Sequence, residues 1–229
     1  MLLEKFPAWG KEYFLKNRLN VVAISCIETP NWYREKELID FLPSLLCFRK
    51  NLSRVVGYGG SMGAFGAATF AQTLDFDSVL LLNPLSTLNK RCAPWEDRFE
   101  FDRKRLSWEG PFHDAAVIKL KGIICYDPFF SQDRLHAERF EGLSHLKLPF
   151  VGHGIGAPLA QLGILNKIVE SMIVSDSYDA HEFAKQARSR RRLNVYYETL
   201  SKKCLTPRNI RRRETIQYYK ELNLKNSDT

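Results

Sequence analysis

Long hydrophobic runs are missing from this 229-residue sequence. None approaches the roughly 20 apolar residues that a bilayer-spanning helix requires, so no transmembrane segment is expected. The opening, Met1-Leu2-Leu3-Glu4-Lys5-Phe6-Pro7, lacks the apolar stretch of a signal peptide, and no export leader is expected either. Cysteine is scarce. Five residues (Cys26, Cys47, Cys92, Cys125, Cys204) form an odd, scattered set without a Cys-x-x-Cys pair. That pattern argues against a disulfide scaffold or a zinc ribbon and for a reducing compartment. His-x-x-x-His, His-Glu-x-x-His and clustered Cys/His sets are absent as well, so neither a metal nor another cofactor is expected. These absences together predict a soluble, cytoplasmic protein.

What remains is ordinary globular composition: 45% hydrophobic, 26% charged and 12% aromatic residues. Wholesale disorder, collagen and coiled coil do not look like this. The formal charge of +8 is unevenly spread. Between Lys185 and Lys225 stand 13 Lys or Arg against Glu198, Glu214 and Glu221, a local net of +10 that leaves the rest of the chain at −2. Two triplets, Arg190, Arg191, Arg192 and Arg211, Arg212, Arg213, each precede a tyrosine pair, Tyr196-Tyr197 and Tyr218-Tyr219, as in a weak repeat of two basic helices. Such a patch suits an anionic partner: nucleic acid, glycan or lipid headgroup. A solvated helical face whose arginines pair with local acids or with the body is the simpler account.

Strand-like and helix-like segments alternate along the chain. Helices are predicted over 8–18, 35–50, 62–74, 132–142 and 156–173, with Pro43 a kink in the second. Short apolar runs predict strands at 21–25, 54–58, 79–82, 123–126 and 148–151. Such alternation predicts a mostly parallel α/β sheet with helices on both faces, because parallel neighbours need crossover connections. The segment 85–118, rich in Trp95, Phe99, Phe101, Trp108 and Phe112, reads as a cap over the carboxyl edge of the sheet or as a long crossover. Residues 1–175 are therefore expected to form the α/β domain, and 176–229 a basic helical extension.

The sharpest local signal is Gly59-Gly60-Ser61-Met62-Gly63, between a predicted strand and a predicted helix. In that context Gly-x-Ser-x-Gly reads as a turn that lifts a serine hydroxyl above the sheet, where flanking side chains would clash. The first helical N–H groups, chiefly that of Met62, then point where an oxyanion would form. A Gly-rich phosphate-binding turn is the alternative, though neither Gly-Lys-Ser/Thr nor Gly-x-Gly-x-x-Gly is present. A serine nucleophile needs a base. Of the five histidines, His136 and His181 fall inside predicted helices, His145 precedes the last predicted strand, and His113 lies in the 85–118 segment. His153, in Gly152-His153-Gly154, alone follows a strand at its carboxyl end. Asp127, at the end of the fourth predicted strand, is the expected acid, with Asp133 as the alternative acid or a helix cap. Cys26 lacks such a turn and reads as a buried small hydrophobe.

This series, with its order Ser61, Asp127, His153, resembles the α/β-hydrolase family over residues 8–173. Asn31-Trp32-Tyr33, Asn83-Pro84-Leu85-Ser86 and Tyr126-Asp127-Pro128 are similar to motifs of a little-characterised bacterial esterase-like group. The resemblance implies Ser61 as nucleophile, Asp127 as acid, His153 as base and the Met62 N–H as one oxyanion donor. It implies an acyl hydrolase of esterase or thioesterase type, or an acyltransferase, acting on a small-molecule or glycan-linked acyl ester. The strand that carries the family's second oxyanion donor would precede residue 8. Leu2-Leu3 as a stub of it, a donor from the 26–33 loop, loss of that donor, and a start assigned too far downstream are all open. A hydrolase-like binding module with a basic tail for an anionic partner is the competing expectation.

Overall fold

The computed structural model describes residues 10–26, 31–203 and 210–225. Four five-residue strands, β1 (Val56–Gly60), β2 (Ser78–Leu82), β3 (Gly122–Tyr126) and β4 (Leu143–Lys147), pair in parallel in the order β1-β2-β3-β4. Around them lie α1 (Lys11–Lys16), α2 (Lys36–Phe41), α3 (Met62–Thr69), α4 (Glu100–Arg105), α5 (Ser131–Ala137), α6 (Gly156–Gln161) and α7 (Ile164–Ser175). Three more helices follow: α8 (Ala180–Gln186), α9 (Asn194–Lys203) and α10 (Ile210–Lys225). The chain is thus α/β with a parallel sheet, as its alternating pattern predicts. No helix among the described residues is long and apolar enough to cross a membrane.

The two inner strands are buried along their whole length because helices cover both faces of the sheet. Successive side chains alternate between the two faces. Val79, Leu81, Ile124 and Tyr126 pack with Ala64, Phe65 and Ala68 of α3, with Trp32, and with Leu85, Leu88 and Trp108 of the 85–118 segment. Leu80, Leu82, Ile123 and Cys125 pack on the other face with Leu159 of α6 and Ile164, Ile168 and Met172 of α7. Phe183 and Ala187 belong to this second cluster, so packing crosses the boundary expected at 175.

Several elements depart from expectation. Val21–Ser25 is not a strand: Val22 is 64% exposed, and the run lies outside the sheet. The last strand is Leu143–Lys147, not 148–151, which forms the loop beyond it. His145 therefore sits within β4, with Nδ1 3.2 Å from the Tyr126 hydroxyl. The helix expected over 35–50 is α2 followed by a tighter 3₁₀ segment, Leu42–Asn51, with Pro43 in its first turn. Cys26 is half-buried rather than buried. The 85–118 segment holds one short helix, α4, and otherwise packs as irregular chain against the first core cluster. Leu2-Leu3, residues 27–30 of the 26–33 loop and Cys204 lie outside the described residues.

Candidate active site

β1 ends at Gly60, and α3 begins two residues later at Met62. Ser61 makes that reversal alone, at φ 53° and ψ −118°. A non-glycine residue pays about 1–3 kcal/mol for such a conformation, which persists only where its surroundings enforce it. Here the Ser61 N–H donates to the Leu82 carbonyl at 2.9 Å, and the Ser61 carbonyl accepts from Phe65 at 3.1 Å. The bend is pinned to β2 on one side and to α3 on the other. A Cβ on Gly59 would lie 2.3 Å from the Gly63 carbonyl group and 2.6 Å from Ala64 N, so the strand and helix approach closely only over glycine. The same does not hold at Gly60 and Gly63, whose nearest neighbours would stand at 3.9 and 3.8 Å. The expected clash at flanking positions is real at Gly59 only.

Ser61 Oγ lies 2.9 Å from His153 Nε2. His153 comes from the loop after β4, and its side chain is 30% exposed. Both oxygens of Asp133, in the first turn of α5, stand 2.8 Å from His153 Nδ1. That contact assigns the ring its tautomer: Nδ1–H donates to Asp133, and Nε2 is free to accept the Ser61 proton.

Asp127 is buried at the end of β3 but does not face the imidazole. Its Oδ2 accepts from the Val151 and Gly152 amides at 2.8 Å each, and its Oδ1 accepts from the Phe129 amide at 2.9 Å. The acid facing His153 is thus Asp133 rather than Asp127. Physically, three amides from two loops saturate the Asp127 carboxylate, while α5 aims Asp133 at the ring. Asp133 does not cap that helix either: the N-cap position is Phe130, and no side chain caps it.

Sequence reasoning missed the residues behind Asp133. Arg98 Nη1 donates to Asp133 Oδ1 at 2.8 Å and stands 3.2 Å from His153 Nδ1. The Arg98 guanidinium is also clamped by Glu96, through Nε at 3.0 and 3.1 Å and Nη2 at 2.5 Å. Glu96 Oε2 takes a further bond from His136 Nε2 at 3.0 Å, and His136 Nδ1 accepts from the Ser86 amide at 3.1 Å. Burial alone would raise the Glu96 pKa, but the bonds from His136 and Arg98 and the charge of Arg98 bring it down to about 2. Burial works against the charge on Arg98 too, yet its bonds to Glu96 and Asp133 leave its pKa raised. The only hint of this chain in the sequence is the Glu96-x-Arg98 spacing within an aromatic-rich segment. Asn83, just past β2 at φ 39°, places its amide nitrogen 3.2 Å from His153 Nε2, beside the Ser61 hydroxyl.

Met62 is the first residue of α3, so its N–H has no partner within the helix and lies at the positive end of the helix dipole. Among the described residues, no group of three or more His, Cys, Asp or Glu side chains is arranged to hold a metal ion. Of the arginines singled out in the sequence, Arg190 donates to the Ala187 carbonyl at 2.8 Å and lies 5.5 Å above the Tyr196 ring. Arg191, Arg192, Arg211 and Arg212 are exposed, and Arg213 is half-buried. The triplets differ in setting, the first in a 3₁₀ turn and the second in α10. No family model matches this chain, and no match appears among curated proteins or solved structures.

Proposed function

We propose that this chain is a serine-dependent acyl hydrolase or acyltransferase of the α/β-hydrolase kind, acting through Ser61, His153 and Asp133. The observation that carries the reading is the continuous relay from Ser61 Oγ to His153 Nε2 at 2.9 Å and from His153 Nδ1 to Asp133 at 2.8 Å. Ser61 Oγ attacks the carbonyl carbon of an ester or thioester as its proton passes to His153 Nε2. Asp133 stabilises the resulting imidazolium and holds the ring in register. The carbonyl oxygen becomes an oxyanion facing the Met62 N–H and the start of α3. Collapse of the tetrahedral intermediate breaks the bond to the alcohol or thiol, which leaves with the proton from His153. Water, deprotonated by the same imidazole, then releases the acid from acyl-Ser61. If an alcohol acceptor such as a sugar hydroxyl takes the place of water, the outcome is acyl transfer.

A fluorophosphonate probe and p-nitrophenyl acyl esters test the reading together. The wild-type chain is expected to be labelled and to hydrolyse short esters, and Ser61→Ala is expected to lose both. A folded wild-type chain that takes no label and turns over no ester overturns it.

A second reading rests on the exposed Arg211 and Arg212 of α10, close in sequence to the exposed Tyr218 and Tyr219. In this reading the tail binds an anionic polymer through a charged helical face. Truncation near residue 184 would be a poor test, because it would strip Ala187 from the second core cluster. Arg211→Glu with Arg212→Glu is the better variant. Heparin retention that falls with salt and is lost in this double variant supports the tail reading, and unchanged retention removes it.

A further inference from the structure

Two successive aromatic residues outside the relay hold left-handed backbone angles, Trp32 at φ 60° and Tyr33 at φ 58°. Neither is a glycine, and such pairs survive only where packing enforces them. The enforcement is visible. The Trp32 ring meets Phe65, Phe99 and Trp108 edge-on, with centroids 5.3–5.5 Å apart, and its indole N–H donates to Asp102 at 3.2 Å. The Tyr33 amide is held by the Asn31 side chain at 3.0 Å.

The locked loop lays the Tyr33 ring along α3. A Cβ on Gly66 would meet Tyr33 Cδ2 at 2.7 Å and Cγ at 3.1 Å, so the base of the ring lies against that glycine. The hydroxyl lies further toward the helix start, 3.8 Å from where a Cβ on Gly63 would stand. The phenol therefore runs from Gly66 to Gly63, toward the end of the helix that carries Ser61 and the Met62 N–H. Tyr33 is half-buried, yet its hydroxyl makes no hydrogen bond within the described residues. The hydroxyl is thus brought to the first turn of α3 by two strained residues and is not sealed from solvent, so it is open to a group bound at Ser61.

We infer that the Tyr33 hydroxyl is the second oxyanion donor, opposite the Met62 N–H, for the acyl chemistry proposed above; the inference rests on that reading. A hydroxyl that donates to a developing oxyanion must stay protonated. Burial, aided by nearby Cys26, pushes the Tyr33 phenol up to about 12, which keeps its proton in place through the neutral and mildly alkaline range. Gly63, with no side chain, leaves the space in front of the hydroxyl open. The donor comes from the aromatic end of the 26–33 loop through a side chain, not through a backbone N–H.

The test is Tyr33→Phe, which keeps the ring against Gly66 and removes only the unpartnered oxygen. Expected is a fall in kcat of about 10²-fold with KM little changed, the scale on which one oxyanion donor acts. A trifluoromethyl ketone, to whose carbonyl carbon Ser61 Oγ adds to give a hemiketal with the same oxyanion as its proton passes to His153, should lose affinity by a similar factor. The unfolding midpoint should hold, because no native hydrogen bond is lost. A Tyr33 that served only to pack its ring against Gly66 would keep turnover, ketone affinity and the unfolding midpoint alike in Tyr33→Phe. Wild-type turnover retained in full by Tyr33→Phe overturns the inference and leaves the serine mechanism standing. An inert wild-type chain in which Ser61 takes no label overturns both.

Discussion

Asp127 and Asp133 hold His153 from two directions and by different means. Asp127 grips the backbone two residues before the histidine through the Val151 and Gly152 amides, both at 2.8 Å. Asp133 grips the ring itself at Nδ1, also at 2.8 Å. One carboxylate fixes the loop and the other fixes the imidazole. The two therefore separate in their consequences when removed.

Asp133→Asn should leave the fold nearly intact, because Glu96 still holds Arg98 and the amide fills the same space. The ring loses its tautomer assignment, and a fall in kcat on the order of 10⁴-fold follows, the scale on which an Asp-to-Asn change acts in a serine triad. Steady-state hydrolysis alongside circular dichroism checks this. A variant with near-wild-type kcat would remove Asp133 from the mechanism.

Asp127→Ala should behave in the opposite order. Three amides lose their acceptor, and that of buried Val151 has no water to turn to. At about 1–3 kcal/mol for a buried unpaired group, the stability loss should dominate. Denaturant unfolding is expected to show a lowered midpoint with an unchanged slope. Activity of the fraction that remains folded should fall by less than in Asp133→Asn.

The difference between these carboxylates was not legible in the sequence. Six residues apart, both lie near the carboxyl end of β3, and only the path of the chain through Phe130 into α5 decides which one meets the ring. Ser61 was legible for a local reason, a glycine-flanked turn directly after β1; His153 was legible through its flanking glycines and by elimination, although the strand expected to end beside it ends six residues earlier, at Lys147. β2 and β3 were legible within one residue, since short apolar runs between turns suit strands covered on both faces; β1, a half-buried edge strand, was legible within two residues from Val55-Val56 and the glycine turn that follows. β4 was not. At the edge of the sheet it alternates buried Leu143 and Leu146 with exposed Ser144 and Lys147, and the apolar residues just beyond it, Leu148 and Val151, drew the prediction forward. Val21–Ser25 has strand-like composition but no neighbouring strand, and composition carries no record of pairing. Arg98 reaches Asp133 across 35 residues of chain, a distance that no local pattern spans, and Glu96 acts there only through Arg98.

Glu96 should leave a signature in the pH dependence of stability. Its carboxyl titrates at about 2 in the folded chain against an ordinary value of 4.5. A depressed folded value means that the stabilisation is complete above about 4.5 and is lost as the pH falls toward 2. The shift corresponds to roughly 3 kcal/mol at neutral pH. Glu96→Gln should remove a stabilisation of that order and flatten the loss between pH 4.5 and 2. Thermal or urea unfolding across that window measures it, and a variant with the wild-type acid dependence would assign the slope to other groups.

The glycines of the serine turn make the last distinction. Gly59→Ala drives a methyl to within 2.3 Å of the Gly63 carbonyl group and 2.6 Å of Ala64 N. These are backbone atoms of the strand–turn–helix unit that carries Ser61, so relief requires α3 to move off β1. The first core cluster runs through Ala64, Phe65 and Ala68 of that helix and would open with it. Little or no folded chain is expected. Gly63→Ala, by contrast, meets nothing nearer than the Tyr33 hydroxyl at 3.8 Å, an ordinary contact, and alanine is favoured over glycine within a helix by about 1 kcal/mol. Its unfolding midpoint should match or exceed that of the wild type. Equal tolerance of both substitutions would mean that β1 and α3 are not held as closely as the turn requires.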